Sequence, residues 1–118
     1  MEKNLSALGF MSGTSGDGVD TSVISSNGKD TINIKYNRFD PYPTSLSNKI
    51  HRVKESISEM QDLLKYSSEI DKLEIEITDF HIDIAIKATK EVDYDLIGFH
   101  GHTIYHNTEE KISKQIGL

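Results

Sequence analysis

A chain of 118 residues, 36% hydrophobic and 27% charged, has the composition of one soluble globular domain or part of a larger one, with material for one modest core. A formal net charge of −6, with lysine and arginine dispersed among acids, argues against a nucleic-acid groove, so a phosphate ligand would be held by backbone dipoles or a metal. The lack of cysteine excludes disulfides and thiolate chemistry, no run reaches transmembrane length, and Met1 to Ser6 lacks the apolar stretch of a signal peptide, so a cytoplasmic chain with no membrane partner is expected.

In chain order, Leu5 to Met11 reads as a short apolar strand and Val19 to Ser25 as a second, with Val19, Thr21 and Val23 on one face and Ile24 on the other. Asn27-Gly28 is a tight-turn dipeptide. Beyond it, Thr31 to Phe39 alternates with Ile32, Ile34 and Tyr36 on one side, which predicts a third strand paired as a hairpin with the second. Asp40 to Pro43, "DPYP", stops the sheet. Leu46, Ile50, Val53, Ile57 and Met60 then fall at helical spacing, with Thr44 or Ser45 as potential caps.

A longer helix is predicted from about Ser68 to Lys90, where Ile70, Leu73, Ile77, Phe80 and Ile84 advance by three and four and Ser68 with Asp71 suits a capping box. A second apolar line of Ile75, Ile82 and Ile86 predicts burial on more than one side. Leu96 to Phe99 has the pattern of a buried central strand, and Thr103 to His106 and Ile112 to Ile116 read as further short strands. The order implies an α/β layered domain in which three antiparallel strands are followed by helices and a parallel strand.

The stretch "GFMSGTSGDGVD", Gly9 to Asp20, joins the first two strands. Its glycines Gly13, Gly16 and Gly18 are spaced in the reverse order of a dinucleotide fingerprint, and no Gly-Lys-Ser/Thr follows as a P-loop requires. A strand rather than a helix comes next, so no helix dipole is available. What remains is a hairpin loop whose glycines let successive N–H groups converge on an anion, with Ser12, Thr14 and Ser15 adding hydroxyls. Asp17 and Asp20 could hold Mg²⁺ through water. The same composition also suits an ordinary turn with no ligand.

"GFMSGTSGDGVD" resembles the N-terminal phosphate-binding signature of the anhydro-N-acetylmuramic acid kinase family, in which Leu is usual where Gly16 stands, and "LIGFHGHTIYHN" resembles the second signature of that family. The intervening helices and the closing "KQIG" are similar to the corresponding segments, so the resemblance covers residues 1–118 as an N-terminal phosphate-binding lobe. It implies an RNase H-like lobe of the actin and hexokinase type, and a kinase that uses ATP to open the 1,6-anhydro ring of its amino sugar while O6 takes the γ-phosphoryl group. By the same resemblance Gly13, Thr14, Ser15, Gly16, Asp17, Gly18, Val19 and Asp20 belong to the ATP site, with Asp17 near Mg²⁺.

In the second signature, His100, His102 and His106 invite a metal, but no carboxylate or cysteine recurs at ligand spacing, which argues against zinc. The turn "HGHT" at the end of a central strand is where an open α/β sheet presents ligand-binding groups, although the same residues could simply cap the strand. The resemblance places His100, Gly101 and Thr103 near the sugar, with Gln the commoner residue at His102. It also puts the general-base aspartate and the C-terminal lobe past Leu118, a position where Asp is usual, and so implies an isolated chain without catalysis. Such a chain would act as part of a kinase, as a nucleotide- or amino-sugar-binding module, or as a fragment docked to a separate C-terminal lobe or to a second copy in a homodimer.

Overall fold

A computed structural model describes residues 4–12 and 16–99, together with the backbone of two strands at 102–107 and 112–116. Strands β1 (Leu5–Ser12), β2 (Gly18–Ser26) and β3 (Ile32–Pro41) form an antiparallel meander. Helices α1 (Thr44–Ser56), α2 (Asp62–Lys65) and α3 (Ser67–Thr89) lead to β4 (Leu96–Gly98), which pairs parallel to β1 and completes a mixed sheet of order β3-β2-β1-β4. Strands β5 (His102–Asn107) and β6 (Ile112–Ile116) pair antiparallel in a small sheet of their own. The α/β class and the three antiparallel strands followed by helices and a parallel strand therefore match the expectation from sequence.

Period-two alternation decides which face is buried. Leu8 and Phe10 of β1 and Val19, Thr21 and Val23 of β2 point to the helical side. There Leu8, Phe10, Val19 and Val23 join Leu46, Ile50 and Val53 of α1 and Ile70, Leu73, Ile77 and Ile84 of α3 in one core. Each fully buried aliphatic side chain of this kind contributes about 1.5–3 kcal/mol. The β2–β3 connection is closed by Asn27, whose Oδ1 accepts the N–H groups of Lys29, Asp30 and Thr31, while Gly28 takes a φ of 78°.

Several expectations are corrected. Ile32, Ile34 and Tyr36 do not share a face: the register shifts between Val23 and Ile24, Lys35 is the extra residue, and the bulge turns Tyr36 toward the core while Ile32 and Ile34 face outward. Helix α1 stops at Ser56, so Ile57 is buried just beyond the helix and Met60 is exposed. Neither helix uses the expected side-chain cap. Pro43 occupies the N-cap of α1, and Tyr66, the residue that ends the short α2, occupies that of α3, leaving Ser68 and Asp71 inside the helix.

The second apolar line of α3, Ile75, Ile82 and Ile86, is exposed rather than buried. The segment expected to be a buried central strand is instead the edge strand β4, with Leu96 and Ile97 about half exposed. Its apolar run reflects a parallel pairing, yet among the described residues only β1 is hydrogen-bonded to it in the sheet. Two hydrogen bonds, one of them to a side chain, fix its start. Asp95 donates its N–H to the Ser6 carbonyl at 2.7 Å and accepts the Ser6 N–H on its carboxylate at 2.9 Å.

Candidate functional site

The turn between β1 and β2 is the first place where sequence signature and geometry meet. Ser12 pairs with Val19 at the closing end of an antiparallel ladder, so β1 and β2 form a hairpin and the glycine-rich stretch leads into a strand rather than a helix. The second strand starts one residue earlier than expected, so of the expected ATP-site residues Gly18, Val19 and Asp20 belong to β2. Gly13, Thr14 and Ser15 lie outside the described residues. Val19 is fully buried, so only its backbone could reach a ligand, whereas Asp17 and Asp20 are exposed and Asp20 lies on the face away from the helices.

The C-terminal half of the turn is fixed by its carbonyls. Ser47 in the first turn of α1 donates its hydroxyl to the Gly16 carbonyl at 2.9 Å, and the Tyr42 N–H donates to the Asp17 carbonyl at 3.0 Å. A trans peptide sets its C=O and the following N–H on opposite sides, so the N–H groups of Asp17 and Gly18 face away from Ser47 and Tyr42. Gly16 has a φ of 72°, and an added Cβ would sit 3.2 Å from Ile50 Cγ2 and 3.3 Å from His51 Cε1. At Gly18 an added Cβ would come within 2.5 Å of the Asp40 carbonyl oxygen, so β3 approaches more closely than any side chain permits.

Ser12 corrects one further expectation. It is not a surface hydroxyl offered to an anion: it is buried and shares a 2.6 Å hydrogen bond with the Tyr42 hydroxyl. Burial pushes the Tyr42 phenol above its ordinary pKa, with the Ser12 bond partly opposing that shift. Beneath the turn, Arg38 Nε meets Asp40 Oδ1 at 3.1 Å, and the neighbouring carboxylate raises the Arg38 pKa. Among the described residues no group of three histidine, cysteine or acidic side chains is placed to hold a metal.

The second signature begins with β4. Here His100 and Gly101 lie outside the described residues, and Thr103 belongs to β5, for which the backbone alone is described. Phe99, just after β4, packs at 4.8 Å between ring centroids on His81, a buried residue of α3 whose Nδ1 is 2.8 Å from the Ile77 carbonyl. Phe10 lies edge-on to both rings. These rings line a small apolar pocket with Ile82, Ala85 and Ile97. Sequence reading missed Tyr42, Ser47, His51 and His81. The two prolines flanking Tyr42 were a usable signal that this position is held rigid.

The profile of the family described as Anhydro-N-acetylmuramic acid kinase matches residues 5–118, a span that contains both signatures. The chain belongs to this family. An anhydro-N-acetylmuramic acid kinase of Pelagibacter ubique is 43% identical over 119 residues, covering 99% of this chain and 32% of the relative. The anhydro-N-acetylmuramic acid kinase of Bradyrhizobium diazoefficiens is 31% identical over 121 residues, with 96% and 32% covered, and that of Gluconobacter oxydans is 36% identical over 115 residues, with 94% and 31% covered. The chain thus spans about a third of the length of the curated relatives it matches, and it fits an N-terminal part of an anhydro-N-acetylmuramic acid kinase. Among the described residues no helix is long and apolar enough to cross a membrane.

Proposed function

We propose that this chain carries the phosphate-binding lobe of an ATP-dependent kinase for anhydro-N-acetylmuramic acid, built on an RNase H-like sheet of the actin and hexokinase type. The observation that carries the reading is the family match over residues 5–118, a span that includes the β1–β2 connection, where the Gly16 and Asp17 carbonyls accept from Ser47 and Tyr42. Gly16 and Gly18 let the turn close against α1 and β3, since at each a Cβ would be strained or would collide with Ile50, His51 or the Asp40 carbonyl. Hydroxyls and outward N–H groups are the donors that phosphoryl transfer needs, because that reaction depends mainly on positioning and charge neutralisation.

In this reading Gly13, Thr14, Ser15 and Gly18 surround the phosphates, and the exposed Asp17 carboxylate holds Mg²⁺ through its water shell. Bound ATP with Mg²⁺ supplies the γ-phosphoryl group and neutralises its charge. His100, Gly101 and Thr103 contribute to the sugar site. The aspartate that activates water and the opposing lobe belong to the rest of the family fold, so residues 1–118 alone bind without turnover. The phosphotransferase product is the amino sugar phosphorylated at O6.

The test is a magnesium titration of MgATP binding and turnover with residues 1–118 grafted onto the remainder of the Pelagibacter ubique relative. Asp17→Asn is expected to impair magnesium-dependent turnover more than sugar binding, since it removes charge and keeps shape. Equal activity across the titration would remove Asp17 from the site. Formation of the 6-phosphate by the 118-residue chain alone, read by mass spectrometry, would overturn the assignment of catalysis to a second lobe.

A further inference from the structure

Helices α1 and α3 leave between them a cleft of about 570 Å³, within the range that small-molecule sites occupy. Among the described residues its apolar wall is made by Val53 and Leu73, both buried, with Tyr66 and Ile75 beside them. Long charged side chains form the rim, Lys49 and Arg52 from α1 and Glu69, Lys72 and Glu76 from α3. Lys49 Nζ meets Glu76 Oε1 at 2.7 Å, so these two neutralise each other across the cleft. Arg52 and Lys72 form no ion pair among the described residues, and three cations against two carboxylates leave one positive charge in excess. The cleft is separate from the phosphate turn. Ser47 donates to the Gly16 carbonyl and His51 stands against Gly16, so that flank of α1 faces the turn. At about 100° per residue, Lys49 and Ser56 lie roughly opposite Ser47 around the helix.

We propose that this cleft binds a small monocarboxylate with an apolar body, the carboxylate held by Arg52 and Lys72 at the rim and the body laid on Val53, Leu73 and Tyr66. Arg52 suits that role, because a guanidinium offers a carboxylate two parallel N–H donors. The charge balance selects the ligand. A neutral amphiphile leaves both cations unmatched, and a dianion carries more charge than the rim has in excess and brings the surplus toward Glu69. The apolar wall supplies affinity and the rim supplies selection, the usual division of labour in a small-molecule site. This site is independent of the phosphate reading and stands whether or not the turn takes ATP.

The experiment titrates octanoate and, separately, 1-octanol into the 118-residue chain and follows backbone amide chemical shifts. Octanoate should give saturable shifts within residues 49–56 and 66–76, and 1-octanol should need about tenfold more for half-saturation. Arg52→Gln removes the charge and keeps most of the stem. It should raise the octanoate half-saturation about tenfold and leave that of 1-octanol unchanged. Ser56→Trp, at the end of α1 and outside the core, puts a ring into the cleft and should abolish the saturable shifts with both probes. Absence of saturable shifts in these helices, or shifts centred instead on the exposed Ile32 and Ile34, would overturn the proposal. Equal affinity for octanoate and 1-octanol, or an Arg52→Gln variant that binds octanoate as the wild type does, would overturn it as well. Saturating MgATP should leave octanoate bound, and its displacement would put both ligands in one site and end the claim of a separate one.

Discussion

The two faces of the four-stranded sheet carry similar amounts of apolar side chain and meet opposite fates. On the helical side Leu8, Val19 and Val23 are fully buried, while on the other side Ile32 and Ile34 are 70% and 71% exposed. The asymmetry follows from connectivity. Strand β4 runs parallel to β1, so the chain must cross from β3 to β4 over β2 and β1, and all three helices lie within that single crossover. One crossover covers one face. Burial in this sheet is thus set by which face the connection takes, not by how hydrophobic the strand residues are.

The largest expected effect lies on the covered face. Ile77 of α3 is fully buried, and Ile77→Ala should cost about 2–5 kcal/mol through lost burial and the cavity left behind, measured by urea denaturation followed by circular dichroism. A loss no larger than that of an exposed isoleucine would break the contrast between the faces. Next comes Gly18→Ala, where the new Cβ meets the Asp40 carbonyl at 2.5 Å and the Pro41 Cα at 2.7 Å. Backbone cannot yield as a side-chain tip does, so roughly 1–3 kcal/mol should be lost. Amide shifts should concentrate where β2 leaves the turn and pairs with β3.

The covered face was also the more legible one in sequence. Alternation placed Val19, Thr21 and Val23 together, and the three-and-four spacing of Ile70, Leu73, Ile77 and Ile84 found the long helix to within a residue at each end. Periodicity is a local signal and these are local regularities. It failed where a tertiary event intervened. The bulge at Lys35 reversed the faces of Ile34 and Tyr36, and the position of β4 at the sheet edge left exposed an apolar run that reads as central. At the site, the glycines and Asp17 were legible as composition and as a family signature. The partners that tie the turn, Tyr42 and Ser47, come from 25 to 31 residues further along, a separation that no spacing rule addresses.

A smaller effect is expected at high pH, again on the covered side. The Tyr42 phenol is buried beside Ser12, so its pKa is raised in the folded chain above the ordinary 10.0. The neutral form is the one the fold accommodates. Its contribution is therefore complete below pH 10, and is lost as pH rises from there through the elevated folded value. Tyr42→Phe should flatten that part of the stability profile relative to wild type when urea midpoints are compared between pH 9 and 11. Identical slopes in the two proteins would place the phenol in solvent.

The smallest effect is a matched substitution, which tests the contrast between faces most directly. Val23→Thr and Ile34→Thr both introduce a hydroxyl while keeping a β-branched residue in a strand, so strand propensity changes little and the difference reads the environment. Val23 is fully buried, and its new hydroxyl would have to find a partner in the core or go without, at a cost of about 1–3 kcal/mol. Ile34 is 71% exposed, and its hydroxyl would meet water, so a change within about 0.5 kcal/mol is expected. Denaturation of both variants at several protein concentrations completes the comparison. A cost for Ile34→Thr equal to that for Val23→Thr would mean the outer face is covered in solution. If that cost also fell on dilution, the covering would be a second copy of the chain, since only association makes stability depend on concentration.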